Sequence, residues 1–412
     1  MIQPVFSLLF LGFSLAAADD TAEFRARREA LRTATPGALV YVPGGTEEEK
    51  GNIRSGFVQD PNFYYLTGWM EPGAAALIGP GVDVLLLPEP NPTRERYTGK
   101  KDHAGTPGIA ARTGFEKVAN VNALKELLAA QGDARLLSVR MPAPEALKEA
   151  AGNREVTSAL ETIHRLRMVK SAKEVELIQH TTDVTIEAHK AAWRRTAPGL
   201  REYQIAATMS NVYFEAGCER HGYPPIVASG PNAIILHYQS NKRKMDSGEL
   251  LLMDVGAECA MYTADITRTI PVNGKFTARQ RELYNAVLKA ADAAIAAAKP
   301  GVTFASLNEL ARKTLREAGT AKGGKTLDNY LTYFLGHGVG LEVHDPTDRP
   351  GALQPGMIVT IEPGVYIPEE GIGIRIEDMI VITETGARNM TEALPRTAEA
   401  IEKFMARGKS AR

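Results

Sequence analysis

The chain has 412 residues, of which 44% are hydrophobic and 24% charged, with 37 glycines. That length allows two domains with cores of their own, and the composition is that of a soluble globular protein rather than a fibrous or low-complexity one. A formal net charge of −1 excludes a chain-wide field that would gather nucleic acid or an anionic membrane.

In chain order, an uncharged apolar run from Val5 to Leu15 comes first, followed by Ala16-Ala17-Ala18 and then Asp19-Asp20. It is shorter than the ~20 residues a membrane span requires. It fits a signal peptide over residues 1–18 with cleavage after Ala18, although no Lys or Arg precedes it. The protein is therefore expected to be exported, periplasmic or secreted, with no membrane attachment after cleavage. Residues 20–156 read as a smaller mixed α/β domain. Strands are expected at Ala38–Val42, Ala74–Ile78 and Val82–Leu87, and a helix over Asn122–Ala130. The segment FVQDPNFYYLTGWMEPG, residues 57–73, is dense in aromatic and turn residues. A helix over Ala159–Val169 leads into a second domain, residues 170–405, whose long first helix opens on a Ser171–Glu174 capping box.

The second domain repeats itself. Pro198-Gly199 precedes a helical pattern ending at Glu215-Ala216-Gly217, and Pro300-Gly301 precedes another ending at Glu317-Ala318-Gly319, an offset of 102 residues at both landmarks. Each half then continues into a hairpin carrying two acids: Asp254 and Asp265 in LLMDVGAECAMYTADITRTIPV, Glu362 and Glu377 in MIVTIEPGVYIPEEGIGIRIEDMIVI. Asp254 and Asp265 are placed symmetrically about a turn at Glu258–Met261, and Glu362 and Glu377 about Pro368–Gly371. Antiparallel partners lie ~5 Å apart at Cβ, so each pair is expected to converge on one face. His337, in GHGVG, falls between the two hairpins.

Four carboxylates packed into apolar strands repel one another and are costly to desolvate unless cations hold them. Four carboxylates and an imidazole exceed one tetrahedral zinc and include no thiolate. They suit two divalent cations about 3.5–4 Å apart that activate a shared water. Mn²⁺, Co²⁺ and Zn²⁺ are chemically reasonable, and the weight of carboxylates leans toward Mn²⁺. The GHGVG glycines are expected to let backbone approach the metals.

Other motifs carry less. Gly319–Thr326 matches GxxxxGK[ST], yet it follows a helix and Gly319 terminates that helix, so the strand-to-helix setting of a phosphate loop is missing. Lys242–Lys244 lies in the NKRK run and reads as a solvated turn. Cys218 and Cys259 show no metal spacing, and sequence leaves their pairing open.

The run DVGAE…ADITRT…GHGVGLEVHD…IEPGVY…GIRIED resembles the pita-bread metallopeptidases, and among them the Xaa-Pro aminopeptidases (aminopeptidase P). FVQDPNFYYLTGWMEPG is similar to the N-terminal signature of that group, and PPIVASGPNAIILHY to its substrate-histidine segment; together the likeness covers residues 22 to 403. It implies an α/β (α+β) fold, with a pseudo-symmetric pita-bread catalytic domain behind the smaller N-terminal one. It further implies two metals on Asp254, Asp265, His337, Glu362 and Glu377, bridged by Asp265 and Glu377, with His237, His344 and Arg375 lining the site.

The implied reaction is hydrolysis of the bond before a proline at the second position of a peptide. A metal-bridging hydroxide attacks with Glu362 as general base, His237 and His344 bind substrate and oxyanion, and Arg375 orients the acids. Tyr333 stands where the family usually carries a further histidine, four residues before His337, and is placed with the substrate-binding residues. A homo-oligomer, dimer or tetramer, is implied as well. The rival readings are a prolidase acting on Xaa-Pro dipeptides and a non-catalytic binding protein on the same fold.

Overall fold

The structure is a computed structural model describing residues 20–47, 51–52 and 56–410. The apolar run at Val5–Leu15 and the cleavage expected after Ala18 lie outside the described residues. The chain divides into two compact units between Arg167 and Met168.

The first unit is built on a six-stranded mixed sheet of β1 (Ala38–Pro43), β2 (Ala75–Gly79), β3 (Val82–Leu87), β4 (Lys117–Asn120), β5 (Arg135–Ser138) and β6 (Val156–Ser158), in the order β4-β3-β2-β1-β5-β6. Every residue of β1, β2 and β3 is buried, as expected of apolar strands covered on both faces. The aromatic segment becomes a short helix, Pro61–Thr67. The Asp60 carboxylate caps the amides of Asn62 and Phe63, and Gly68, at φ 65°, ends the helix.

The second unit begins with α1 (Ala172–Arg195) and the expected capping box. The Glu174 amide donates to Ser171 Oγ at 3.2 Å, and the Ser171 amide to Glu174 Oε2 at 3.0 Å. Buried residues recur along α1 every three or four positions (Ile178, Thr181, Thr185, Ala188, Ala192). The helix packs against α2 (Glu202–Glu215), and Thr181 and Thr185 bond to Tyr262 and Ala257 of the strands beyond Asp254. The next half repeats the pair as α3 (Ala278–Ala297) and α4 (Phe304–Ala318), with Thr277 and Gln280 repeating the box.

Strands follow each pair: β7 (Ile226–Ser229), β8 (Leu250–Val255) and β9 (Ile266–Pro271), then β10 (Ile358–Ile361), β11 (Gly364–Ile367), β12 (Ile372–Arg375) and β13 (Asp378–Ile382). One core draws on both halves, among others through Trp193, Val255, Ile266, Leu283, Ile361 and Ile380. This is the pseudo-symmetric α/β architecture expected of the second domain.

Gly336 of GHGVG lines the cavity that holds the acids, and two of these glycines also allow close packing: a Cβ on Gly336 would lie 2.3 Å from the Thr360 carbonyl, and one on Gly340 2.6 Å from Asp345 Oδ2. One local expectation needs correction. Within NKRK, Arg243 is half-buried, its guanidinium paired with Glu249 at 2.5 Å, so only the flanking lysines are solvated. Gly319–Thr326 closes through a bridge between Thr320 and Thr326 and leads into a 3₁₀ turn, Leu327–Tyr330, without opening an α-helix.

The two cysteines are joined in a disulfide, Cys218–Cys259, with Cα atoms 4.3 Å apart and a sequence separation of 41. It ties the end of α2 to the tip strand Ala257–Cys259, just beyond Asp254. By the chain-entropy estimate, closing such a loop is worth about 4 kcal/mol. The double variant Cys218→Ser/Cys259→Ser is expected to lose about 3–4 kcal/mol in urea unfolding; an unchanged midpoint would assign the bond no role in stability.

Candidate metal centre

The second acidic pair sits in the expected register. Ile361 pairs with Asp378 in one ladder and Gly364 with Arg375 in the next, so Glu362 and Glu377 occupy the break between two collinear ladders. The first pair departs from expectation. Asp254 faces Thr267, Glu258 faces Thr263, and the turn is Ala260–Met261. Asp265 therefore lies two residues off direct opposition to Asp254. Strand side chains alternate with a period of two, so a shift of two keeps both acids on the same face. Gly256 permits the close crossing: a Cβ there would lie 1.7 Å from the Ala264 carbonyl.

His337 reaches the cluster from a segment running beside β10. The Thr360 amide donates to the His337 carbonyl at 2.8 Å, and the Glu362 amide to the Leu335 carbonyl at 2.9 Å. His337 Nδ1 lies 3.0 Å from the Gly338 carbonyl, which selects the tautomer with its proton on Nδ1. Nε2 then faces Asp265 Oδ2 at 3.4 Å and Glu362 Oε1 at 3.3 Å. Ligand atoms of Asp265, His337 and Glu377 all lie within 4.8 Å of one another.

Positive charge is scarce here. Arg375 donates to Asp254 Oδ2 and to the Tyr366 hydroxyl, and its Nε to Thr267 Oγ1 at 3.0 Å. Thr267 Oγ1 in turn donates to Glu377 Oε2 at 2.6 Å. Arg375 thus supports Asp254 directly and reaches Glu377 only through Thr267. The Tyr223 hydroxyl touches Asp254 Oδ1 at 2.6 Å and also Asp265 Oδ1, though its single proton can serve only one of them.

Burial is the main reason Asp254 and Glu377 hold protons above the ordinary carboxylate range, and Glu362 is lifted to about 7. Burial pulls His337 down, but the Asp265 hydrogen bond and the charges of Glu362 and Asp265 outweigh it and raise the imidazole to about 9. A cluster that must hold surplus protons, with one hydroxyl wedged between two carboxylates, is a donor set suited to cations. Four carboxylates and one imidazole nitrogen fit two divalent ions.

The cluster lines a cavity of about 430 Å³, which also brings in His237, His344 and Tyr333. His344 stacks edge-on against His337 with ring centroids 4.2 Å apart, and burial lowers its pKa, leaving it neutral at pH 7. Tyr333 lines the cavity with its ring. Its hydroxyl is engaged elsewhere, donating to the Glu362 carbonyl at 2.8 Å and meeting the Tyr366 hydroxyl at 3.2 Å.

Residues 176–384 match the family model described as Metallopeptidase family M24, and residues 24–136 match that of the Aminopeptidase P, N-terminal domain. The chain belongs to metallopeptidase family M24. It is 33% identical to the Xaa-Pro aminopeptidase of Escherichia coli, over 93% of this chain and 97% of that one. It is also 33% identical to the Xaa-Pro dipeptidase of Pyrococcus furiosus, over 84% of this chain and 95% of the other. A solved variant of Escherichia coli aminopeptidase P in complex with substrate superposes with a TM-score of 0.85 at 27% identity, covering 95% of this chain and 99% of that one. This M24 member is accordingly a metal-dependent peptidase with a pita-bread catalytic unit.

Several residues around the centre of this M24 peptidase carry no mark of their role in the sequence. Tyr223, Thr267 and Tyr366 bind the acids or Arg375, and Lys170 buries its ammonium against Asp345 at 2.9 Å, fixing the turn that carries His344. Thr267 and Tyr366 lie inside the quoted ADITRT and IEPGVY motifs and Tyr223 just before the substrate-histidine segment, but their partners appear only in the fold; Lys170 carries no signal at all.

Proposed function

We propose that this M24 peptidase removes the first residue from peptides whose second residue is proline. The observation that carries the reading is the donor cluster of Asp254, Asp265, His337, Glu362 and Glu377 on the wall of a cavity, in a chain that also has an aminopeptidase P N-terminal domain. These five would hold two divalent ions, Mn²⁺ by the weight of carboxylates. When bound, such ions lower the pKa of the water they hold and supply the nucleophile.

The protein's own groups do the rest. Glu362, with Thr360 Oγ1 3.2 Å from its Oε1, takes the proton and passes it to the departing proline nitrogen. His344, neutral at pH 7, and His237 donate to the substrate and to the oxygen on which charge develops. Arg375 holds Asp254 in place and offsets part of the cost of burying its charge. The Cys218–Cys259 disulfide supports an exported protein, since such bonds persist in oxidising compartments.

The test is hydrolysis of Arg-Pro-Pro against Ala-Pro with Mn²⁺, with chelator and Glu362→Ala as controls. Arginine released from the tripeptide and abolished by both controls supports the reading. The likeness to a Xaa-Pro dipeptidase favours a second reading, and cleavage of Ala-Pro alone would establish it.

Tyr333 separates metal binding from catalysis. Its hydroxyl supports the Glu362 backbone, and neither ring nor hydroxyl offers a ligand to the acids. Tyr333→His is expected to retain both ions by elemental analysis while kcat/KM changes by ~10-fold, the scale of one or two hydrogen bonds. A variant stripped of metal would refute this.

A further inference from the structure

Glu202, at the start of α2, has a carboxylate with no exposure to solvent. Five donors converge on it. Oε1 accepts from the Ser229 amide at 2.8 Å, Ser229 Oγ at 2.7 Å and Asn232 Nδ2 at 3.0 Å; Oε2 accepts from the Tyr238 hydroxyl at 2.8 Å and the Arg243 amide at 2.9 Å. All five belong to one stretch of chain, 229–243, which leaves β7 at Ser229 and whose only regular structure beyond it is the 3₁₀ turn Gly230–Ile234.

The backbone around Glu202 adds to the clamp. The Glu202 amide donates to the Arg243 carbonyl at 3.1 Å, and the Tyr203 amide to the Asn241 carbonyl at 2.8 Å. His237 lies in the middle of that stretch and faces the cavity from an exposed position. Among the described residues it makes no hydrogen bond of its own, so its place over the metal centre is set by the segment that carries it. Tyr238, the next residue, is held by Glu202.

We propose that Glu202 is a positioning residue for His237: it anchors both ends of the 229–243 segment and so sets how tightly substrate is held. The proposal rests on the Xaa-Pro peptidase reading for its substrate, though not for its structural part. A carboxylate suits the task because it accepts at about four lone-pair sites and donates nothing. Burial makes each of these charge-assisted bonds strong, and an amide in its place turns one oxygen into a donor facing donors. Its position in the first turn of α2 also places the charge at the positive end of the helix.

Glu202→Gln tests this in the full-length, Mn²⁺-loaded protein. Expected are two bound ions, amide exchange across 230–241 faster by ~10-fold or more, and KM for Arg-Pro-Pro up by ~10-fold with a smaller fall in kcat. His237→Ala should raise KM to a similar extent, and the double variant should be no worse than the more severe single one, because both remove one interaction. Multiplying effects in the double variant, or unchanged exchange across 230–241, would overturn the proposal. Should Glu202→Gln not fold, Tyr238→Phe removes one donor and is read by the same exchange and the same cycle with His237→Ala, at ~3-fold. If the wild type cleaves no Xaa-Pro peptide the functional reading fails, while the exchange measurement still decides whether Glu202 holds the segment.

Discussion

The Asp265→Asn protein is expected to fold, to bind fewer than two ions, and to lose on the order of 10³-fold or more in kcat/KM. Asp265 meets His337 Nε2 at 3.4 Å and shares a 4.8 Å cluster with His337 and Glu377, so on the proposed reading it is one of the residues that would hold the ions. The same substitution removes one charge from a place where acids outnumber their partners. Without metal it should therefore melt no lower than the chelated wild type, and above it at neutral pH. Elemental analysis and paired thermal melts check both halves; full metal content with full activity would end the proposed role of Asp265.

Chelation should reverse the pH dependence of stability across the neutral range. Glu362, lifted by burial from 4.5 to about 7, binds its proton more readily folded than unfolded. Its contribution is present below about pH 4.5 and lost as pH rises through about 7. Asp254 and Glu377, raised mainly by burial, act in the same direction. His337, at about 9 against 6.5, contributes fully below 6.5 and loses that contribution through about pH 9. Asp378 and Glu402 hold depressed values, so their loss comes only as pH falls below the ordinary carboxylate range. The imidazoles that burial lowers, His189 to about 3 and His221, act the opposite way only below about pH 6.5, at the bottom of the neutral range.

Metal takes the place of the surplus protons and removes the penalty. The chelated protein should therefore lose on the order of 5–10 °C in melting temperature between pH 5.5 and 8.5, while the Mn²⁺-loaded protein does not. A chelated protein that gains stability over that range would contradict the charge arrangement described here.

How far the sequence could be read depended on how each turn is marked. The Glu362–Glu377 hairpin was legible to the residue because Pro368 and Gly371, the latter at φ 62°, bound a compact turn. The first hairpin turns instead at Ala260 and Met261, at φ 50° and 71°, neither of them a residue that favours that conformation. Nothing in Cys-Ala-Met-Tyr marks the turn, so the expected centre was displaced and Asp265 seemed to oppose Asp254 directly.

The helix pairs and the Ser171–Glu174 box were legible from periodicity and caps, which are local. Glu202, Tyr223 and Thr267 were not, because each matters through partners that only the fold assembles. The roles proposed for His237 and His344 rest on the likeness of the motifs to a known family, since no spacing reveals them.

The interleaving of the two halves has a bearing on when this protein can take up its ions. Thr267 Oγ1 and Glu377 Oε2 meet across 110 positions of sequence, and Arg268 grips the Glu377 carbonyl across 109. Contacts of such long range form only after extensive loop closure, so they belong to the late part of folding. A chain emerging from the ribosome carries Asp254 and Asp265 long before Glu377 exists, and two carboxylates alone are a poor cage for a divalent cation. On the proposed ligand set, ion uptake would follow completed folding, and a truncated chain ending before Glu377 is expected to stay unloaded and inactive.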